Sequence, residues 1–351
     1  MRIIKGAALA IAAVLCAATA RAEPQPIDIA DDASWVHEDT GITAPPAIDG
    51  LRRFKATSFL PNGANNGFSY SSEDDGELLS LYVYRAGSVD VAMWGDVAMM
   101  SMATNASYDG VDYGHGQVSL FGDDQIGADS GIRFVMPVQG KFQSTGLALY
   151  ALDGWLVKLR YSSAALDPQA LDARLAELVR QIAHAPPARP APAAYRVEQC
   201  GKPIKAKKAS RAALDGGQML VQAMGYSMVF DESKEEAERV TAPGTVPRLC
   251  RDMLESQGAM LVYRPVDTGD GYRIALGDSG ISISVARGML PGDGSVYWAS
   301  LSNGSAVELY RPFEGLPRVE QAMDAVSTEA PVAAVTRKPE GGSDVKILAL
   351  E

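Results

Sequence analysis

From Met260 onward, turn-forming clusters cut the chain into apolar runs of five or six residues. The separators are Thr268-Gly269-Asp270-Gly271, Gly277-Asp278-Ser279-Gly280, Pro291-Gly292-Asp293-Gly294 and Asn303-Gly304, all rich in residues that accept turn geometry. Strands so closely spaced must pair antiparallel, because parallel neighbours need a crossover of a dozen or more residues. The pattern predicts strands at Met260–Arg264, Tyr272–Leu276, Ile281–Ala286, Val296–Leu301 and Ala306–Tyr310, with a last strand at Val345–Leu350. Helices are predicted over Ala212–Ala223, Pro247–Gly258 and Pro317–Val326. In the second of these, Leu249, Cys250, Met253 and Leu254 fall on one helical face.

The other half of the chain carries the same signals in another order. Strands are expected at Gly67–Ser72 and Leu78–Tyr84, joined by Glu73-Asp74-Asp75-Gly76, and at Gly131–Pro137, Thr145–Leu152 and Trp155–Tyr161. The last two meet at Asp153-Gly154, a strong hairpin dipeptide between apolar runs. Ser88 is the expected cap of a helix to about Ala103, with Val91, Trp94, Ala98 and Met102 in one stripe. A closing helix has Asp167 as N-cap, Pro168 at its first position, and Leu171, Leu175, Leu178, Val179 and Ile182 on its buried face.

Between the halves lies Ala185-Pro186-Pro187-Ala188-Arg189-Pro190-Ala191-Pro192-Ala193-Ala194. Four prolines in seven residues cannot hold a helix, so the stretch reads as an extended, semi-rigid linker. The expected organisation is an arm at 23–47, a first domain at 48–184, a linker at 185–195 and a second domain at 196–351. The arm offers few apolar anchors apart from Trp35 and Val36. Both domains are expected to be α+β, each an antiparallel sheet covered by helices.

The first 22 residues predict export. Arg2 and Lys5 form a positive head, Gly6–Ala18 an apolar core, and Ala20-Arg21-Ala22 a cleavage site with the cut between Ala22 and Glu23. The apolar run is too short to span a bilayer, which takes about 20 residues. Leu15 is too bulky beside Cys16 for lipid attachment. A periplasmic or secreted protein is expected, with no membrane span in the mature chain. Cleavage takes Arg2, Lys5 and Arg21 and no acid, so the net charge moves from −11 to −14. Such acidity argues against binding nucleic acid or an anionic membrane surface.

Cleavage also removes Cys16 and leaves Cys200 and Cys250. An even pair in an oxidising compartment reads as a disulfide. Two free thiols or a metal pair are the alternatives, and with histidines this scarce zinc is a poor fit.

Three stretches resemble the PsbP-like α/β/α sandwich group. They are Phe68-Ser69-Tyr70-Ser71, Leu81-Tyr82-Val83-Tyr84, and Gly154-Trp155-Leu156-Val157-Lys158-Leu159-Arg160-Tyr161 followed by a helix. The resemblance covers residues 48–184 only. It implies a small accessory or binding module of the cell envelope without catalysis of its own.

Candidate chemistry is sparse, and no cofactor or metal is expected. No nucleophile-elbow, phosphate-loop or zinc-protease pattern occurs. The one catalytic alternative is a hydrolase using His115 with Asp109 or Asp112; its rival is an exposed loop histidine. His184, at the end of the closing helix, reads as a dipole cap. Glu73-Asp74-Asp75-Gly76-Glu77 and Asp123-Asp124 with Asp129 lack calcium-loop spacing and read as solvated turns. Met93, Met99, Met100 and Met102 could hold Cu(I), but they do not share a helical face and read as core. Lys202, Lys205, Lys207, Lys208 and Arg211 form the one basic patch, either a solvated segment or a docking strip for an acidic partner. A structural or assembly subunit of an envelope complex is the third functional reading.

Overall fold

The computed structural model describes residues 23–348 apart from 61, 106–107, 109, 112–114, 231–246, 268–269, 290–295 and 339–340. The predicted signal peptide lies outside the described residues. The architecture is α+β, built on two large antiparallel sheets.

The first sheet comprises β1 (Leu51–Ser58), β2 (Asn65–Ser71), β3 (Glu77–Tyr84), β4 (Gln117–Phe121), β5 (Gly131–Gln139), β6 (Ser144–Leu152) and β7 (Trp155–Ser163). Its order is β1-β2-β3-β7-β6-β5-β4. Asp153 and Gly154, at φ 43° and 82°, make the tight turn between β6 and β7, the left-handed geometry that a two-residue hairpin requires. Helix α1 (Val91–Ala103) packs on one face and α2 (Pro168–Gln181) on the other. In α2 the Asp167 carboxylate accepts the Ala170 N–H at 2.8 Å, and Leu171, Leu175 and Leu178 are buried. The helix ends at Gln181 with Ile182 as C-cap, so His184 stands two residues beyond the cap. The cap of α1 is Asp90, not Ser88: its carboxylate accepts the Met93 N–H at 2.9 Å. Ser88 instead lends its carbonyl to the Trp94 indole at 2.8 Å.

The second sheet is a meander whose strand order is its sequence order. It comprises β8 (Leu249–Gln257), β9 (Met260–Pro265), β10 (Tyr272–Leu276), β11 (Ser282–Arg287), β12 (Val296–Ser302), β13 (Ala306–Leu309), β14 (Ala333–Arg337) and β15 (Ser343–Ile347). Helices α3 (Gly216–Phe230) and α4 (Val319–Thr328) complete it. One expectation fails here. Within 247–258, Leu249–Gln257 form β8, not a helix, and hairpin with β9 through Gly258, whose φ is 58°. Leu249 through Asp252 are all buried, whereas Met253 and Leu254 are exposed, so the supposed helical face is divided.

The layering follows from side-chain alternation. On β9 and β10, Val262, Tyr272 and Ile274 face α4, while Leu261, Tyr263 and Ala275 face α1. Helix α1 therefore lies between the two sheets, and 10 of its 13 residues are buried. That explains why its methionines share no face: a helix apolar all round is one covered all round. Met93, Met99 and Met102 are core residues. Helix α3 covers the same face of the second sheet farther along, through Met219 and Ala223 against Trp298, Leu309 and Val335.

The arm and linker are integral parts of this packing. Ile42 and Ala44 are fully buried in the first core, Trp35 packs on Phe68, and Val36 is exposed. Thus Val36 is not an anchor. In the linker, the N–H groups of Ala185, Ala188, Ala191 and Ala194 donate to Thr40, Asp153, Ile126 and Asp129. A spacing of three is the repeat of polyproline II, which has no internal hydrogen bonds and must place its donors elsewhere.

Candidate functional site

A groove of about 880 Å³ opens along β1, between the short strands Gln25–Pro26 and Ala47–Ile48 that pair with its two ends. The register with β2 shifts between Arg53 and Lys55, and such a bulge re-aims the side chain it contains. Phe54 is that residue, and it is 61% exposed while lining the groove. Arg53 turns instead toward the arm and donates to the carbonyls of Ala30, Ala33 and Ala44 at 2.9–3.0 Å. These bonds hold the arm as a wall carrying Ile27, Ile29, Asp31 and Asp32. Arg52 and Lys55 flank Phe54, exposed and without an ion-pair partner among the described residues. The groove therefore offers an aromatic surface between two cations, opposite an acidic wall.

The seam between the sheets is polar but closed. Asp96, on α1, accepts from Arg251 at 2.5 and 2.6 Å and from the Tyr263 hydroxyl at 2.8 Å. Burial raises the Asp96 carboxyl above the usual range, opposed by the charge of Arg251 and the Tyr263 bond. Lys158 crosses from β7 to Asp278 at 2.7 Å. Burial lowers the Lys158 ammonium, and Asp278 works against that shift. Backbone meets backbone as well: Gly87 N–H donates to Gly280 at 3.1 Å. A Cβ on Gly304 would stand 2.5 Å from the Arg85 carbonyl carbon. These groups bind one sheet to the other.

A second cluster, half-buried, joins the arm to the first sheet. His37 contacts the Trp155 ring edge-on at 4.1 Å, and its Nδ1 lies 3.0 Å from the Thr40 hydroxyl. Asp39 accepts from Arg85 at 3.2 Å and from the Trp155 indole at 3.1 Å. Burial lowers the His37 imidazolium, with Asp39 opposing and Arg85 adding to the shift.

His115 is exposed, while Asp109 and Asp112 lie outside the described residues. Cys200 and Cys250 are joined, with Cα atoms 5.0 Å apart, where Glu198–Gln199 runs parallel to the start of β8. In the basic patch, Lys202, Lys205, Lys207 and Lys208 are exposed. Arg211 is committed to Glu329 and stacks on Phe313 at 3.9 Å. Asp74 and Asp123 cap their own turns, through Gly76 and through Gln125 and Ile126. Among the described residues no group of three His, Cys, Asp or Glu side chains is arranged to hold a metal. Among them, too, no helix is long and apolar enough to cross a membrane.

The groove was not anticipated from sequence. Its signal is the run Arg52-Arg53-Phe54-Lys55, in which strict alternation would bury either the aromatic or two cations. Comparison with known proteins finds no family model that matches the chain, and no significant similarity to a curated protein or a solved structure.

Proposed function

We propose that this is an exported, non-catalytic binding module of the cell envelope that holds a segment of a partner protein in the groove over β1. The observation that carries the reading is the bulge that turns Phe54 outward between Arg52 and Lys55. An exposed aromatic supplies contact area at little conformational cost, and flanking cations select an acidic, partly apolar segment. Export rests on the sequence of residues 1–22. Kinship with PsbP-like modules is part of the same proposal; its support is the pattern of residues within 48–184 and a sheet with one helix on each face.

Photo-cross-linking tests the reading. A benzophenone amino acid at position 54 should trap a discrete partner in the intact envelope. The Arg52→Glu/Lys55→Glu variant should lose that product while keeping its melting temperature. Purified protein with a turnover abolished by His115→Ala would instead favour a hydrolase.

A further inference from the structure

We propose that Met224, Met228 and Met289 form a surface site for one Cu(I) ion on the open side of α3. The proposal is independent of the groove. Helix α3 contains no charged residue, and its inner side packs Met219 and Ala223 into the second core. The outer side carries Met224 and Met228, four residues apart and 53% and 52% exposed. Methionine ordinarily lies inside a protein, so two thioethers facing solvent on adjacent turns are out of place as packing. A third joins them from another element: Met289, beyond β11, is 50% exposed.

Met289 is held in place by two features. Its N–H donates to the Gln222 side chain at 3.2 Å, and Gln222 is itself only 2% exposed. Its sulfur lies 2.0 Å from where a Cβ on residue 225 would stand. Only glycine at 225 admits the thioether at that point, which fixes one sulfur against the helix. Residues 224 and 228 are neighbours of that point. Positions three and four apart on a helix have Cβ atoms about 5–6 Å from each other, and methionine is unbranched with three rotatable bonds. Position 228 stands three residues from 225 and four from 224, so the proposed site is completed by the Met228 and Met224 side chains turning toward the sulfur seated over Gly225.

Three thioethers with no carboxylate or imidazole among them make a soft donor set, which selects Cu(I) over zinc, calcium or magnesium. A thioether has no proton to lose. Binding should thus be insensitive to pH, unlike sites built on thiol or imidazole ligands.

The test is anaerobic competition between the full-length protein and a chromogenic Cu(I) chelator, with Cu(I) supplied as such. The expected result is one equivalent bound, equally at pH 5 and pH 7.5, with a sulfur-only first shell in X-ray absorption. Met224→Leu, Met228→Leu and Met289→Leu, each close to volume-conserving, should weaken binding at least tenfold. Gly225→Ala keeps all three sulfurs, displaces Met289, and should also weaken it. Met253→Leu, an exposed methionine at the far edge of the sheet on β8, should change nothing. Failure of the native protein to take Cu(I) from the chelator would overturn the proposal. So would undiminished binding by the triple leucine variant or by Gly225→Ala.

Discussion

At the scale of single residues, the decisive group is Asp96. A carboxylate that is 2% exposed in an apolar helix must be paired, and Arg251 and Tyr263 of the other sheet supply the partners. Asp96→Ala removes the carboxylate that pairs with the buried Arg251 guanidinium and should cost about 3–5 kcal/mol in urea unfolding. A loss below about 1 kcal/mol would show that water reaches the seam. His37 gives the pH prediction. Its folded-state pKa is depressed by burial, so the unfolded chain binds the extra proton first. Its contribution is complete above the unfolded value of about 6.5 and is lost as pH falls through the folded value. Unfolding free energy measured between pH 7.5 and pH 5 should therefore decline, and His37→Asn should flatten the decline. An unchanged slope in the variant would contradict the assignment. Neither partnership was legible in the sequence. A lone acid inside Val91–Met102 announces that a partner exists, but the partner is 155 residues away in the chain.

At the scale of elements, legibility tracked local chemistry. The Asp153-Gly154 hairpin and the Asp167-Pro168 helix start are determined within a few residues, and both form where the sequence places them. Residues 247–258 misled because Pro247 and Gly258 mimic helix start and stop signals. A strand buried on both faces at one end shows no period of two, so the long-range contacts of Leu249 and Arg251 decided the outcome. The arm was underread for a related reason: Ile42 and Ala44 are buried by a sheet formed much later in the chain. The linker offers a sharp test. Proline at 188 or 191 removes a donor that is in use and should destabilise by about 1 kcal/mol. Proline at 193, whose N–H makes no hydrogen bond to another backbone group among the described residues, should be neutral. Equal effects at all three positions would refute the threefold phase. The disulfide closes a loop whose ends are 50 residues apart. Its removal by Cys200→Ser/Cys250→Ser should cost about 4 kcal/mol in the chain-entropy model.

At the scale of the whole molecule, α1 makes the two halves a shared core. The helix belongs in sequence to the first sheet, yet one of its sides is buried by Leu261, Tyr263 and Ala275 of the second. Composition and the proline-rich stretch predict two domains with a linker between them; burial across that stretch is not legible in the sequence. Calorimetry should show a single cooperative transition, whereas two resolved transitions would mean that the seam contributes little. The functional proposal, by contrast, rests on a surface. Phe54 stands exposed in that groove beside Arg52 and Lys55, and the proposal makes it the point of contact with a partner. Cross-linking from position 54 in the intact envelope tests this most directly. A single adduct that disappears in the Arg52→Glu/Lys55→Glu variant is the predicted result. An absent adduct, or one that survives charge reversal, would contradict it.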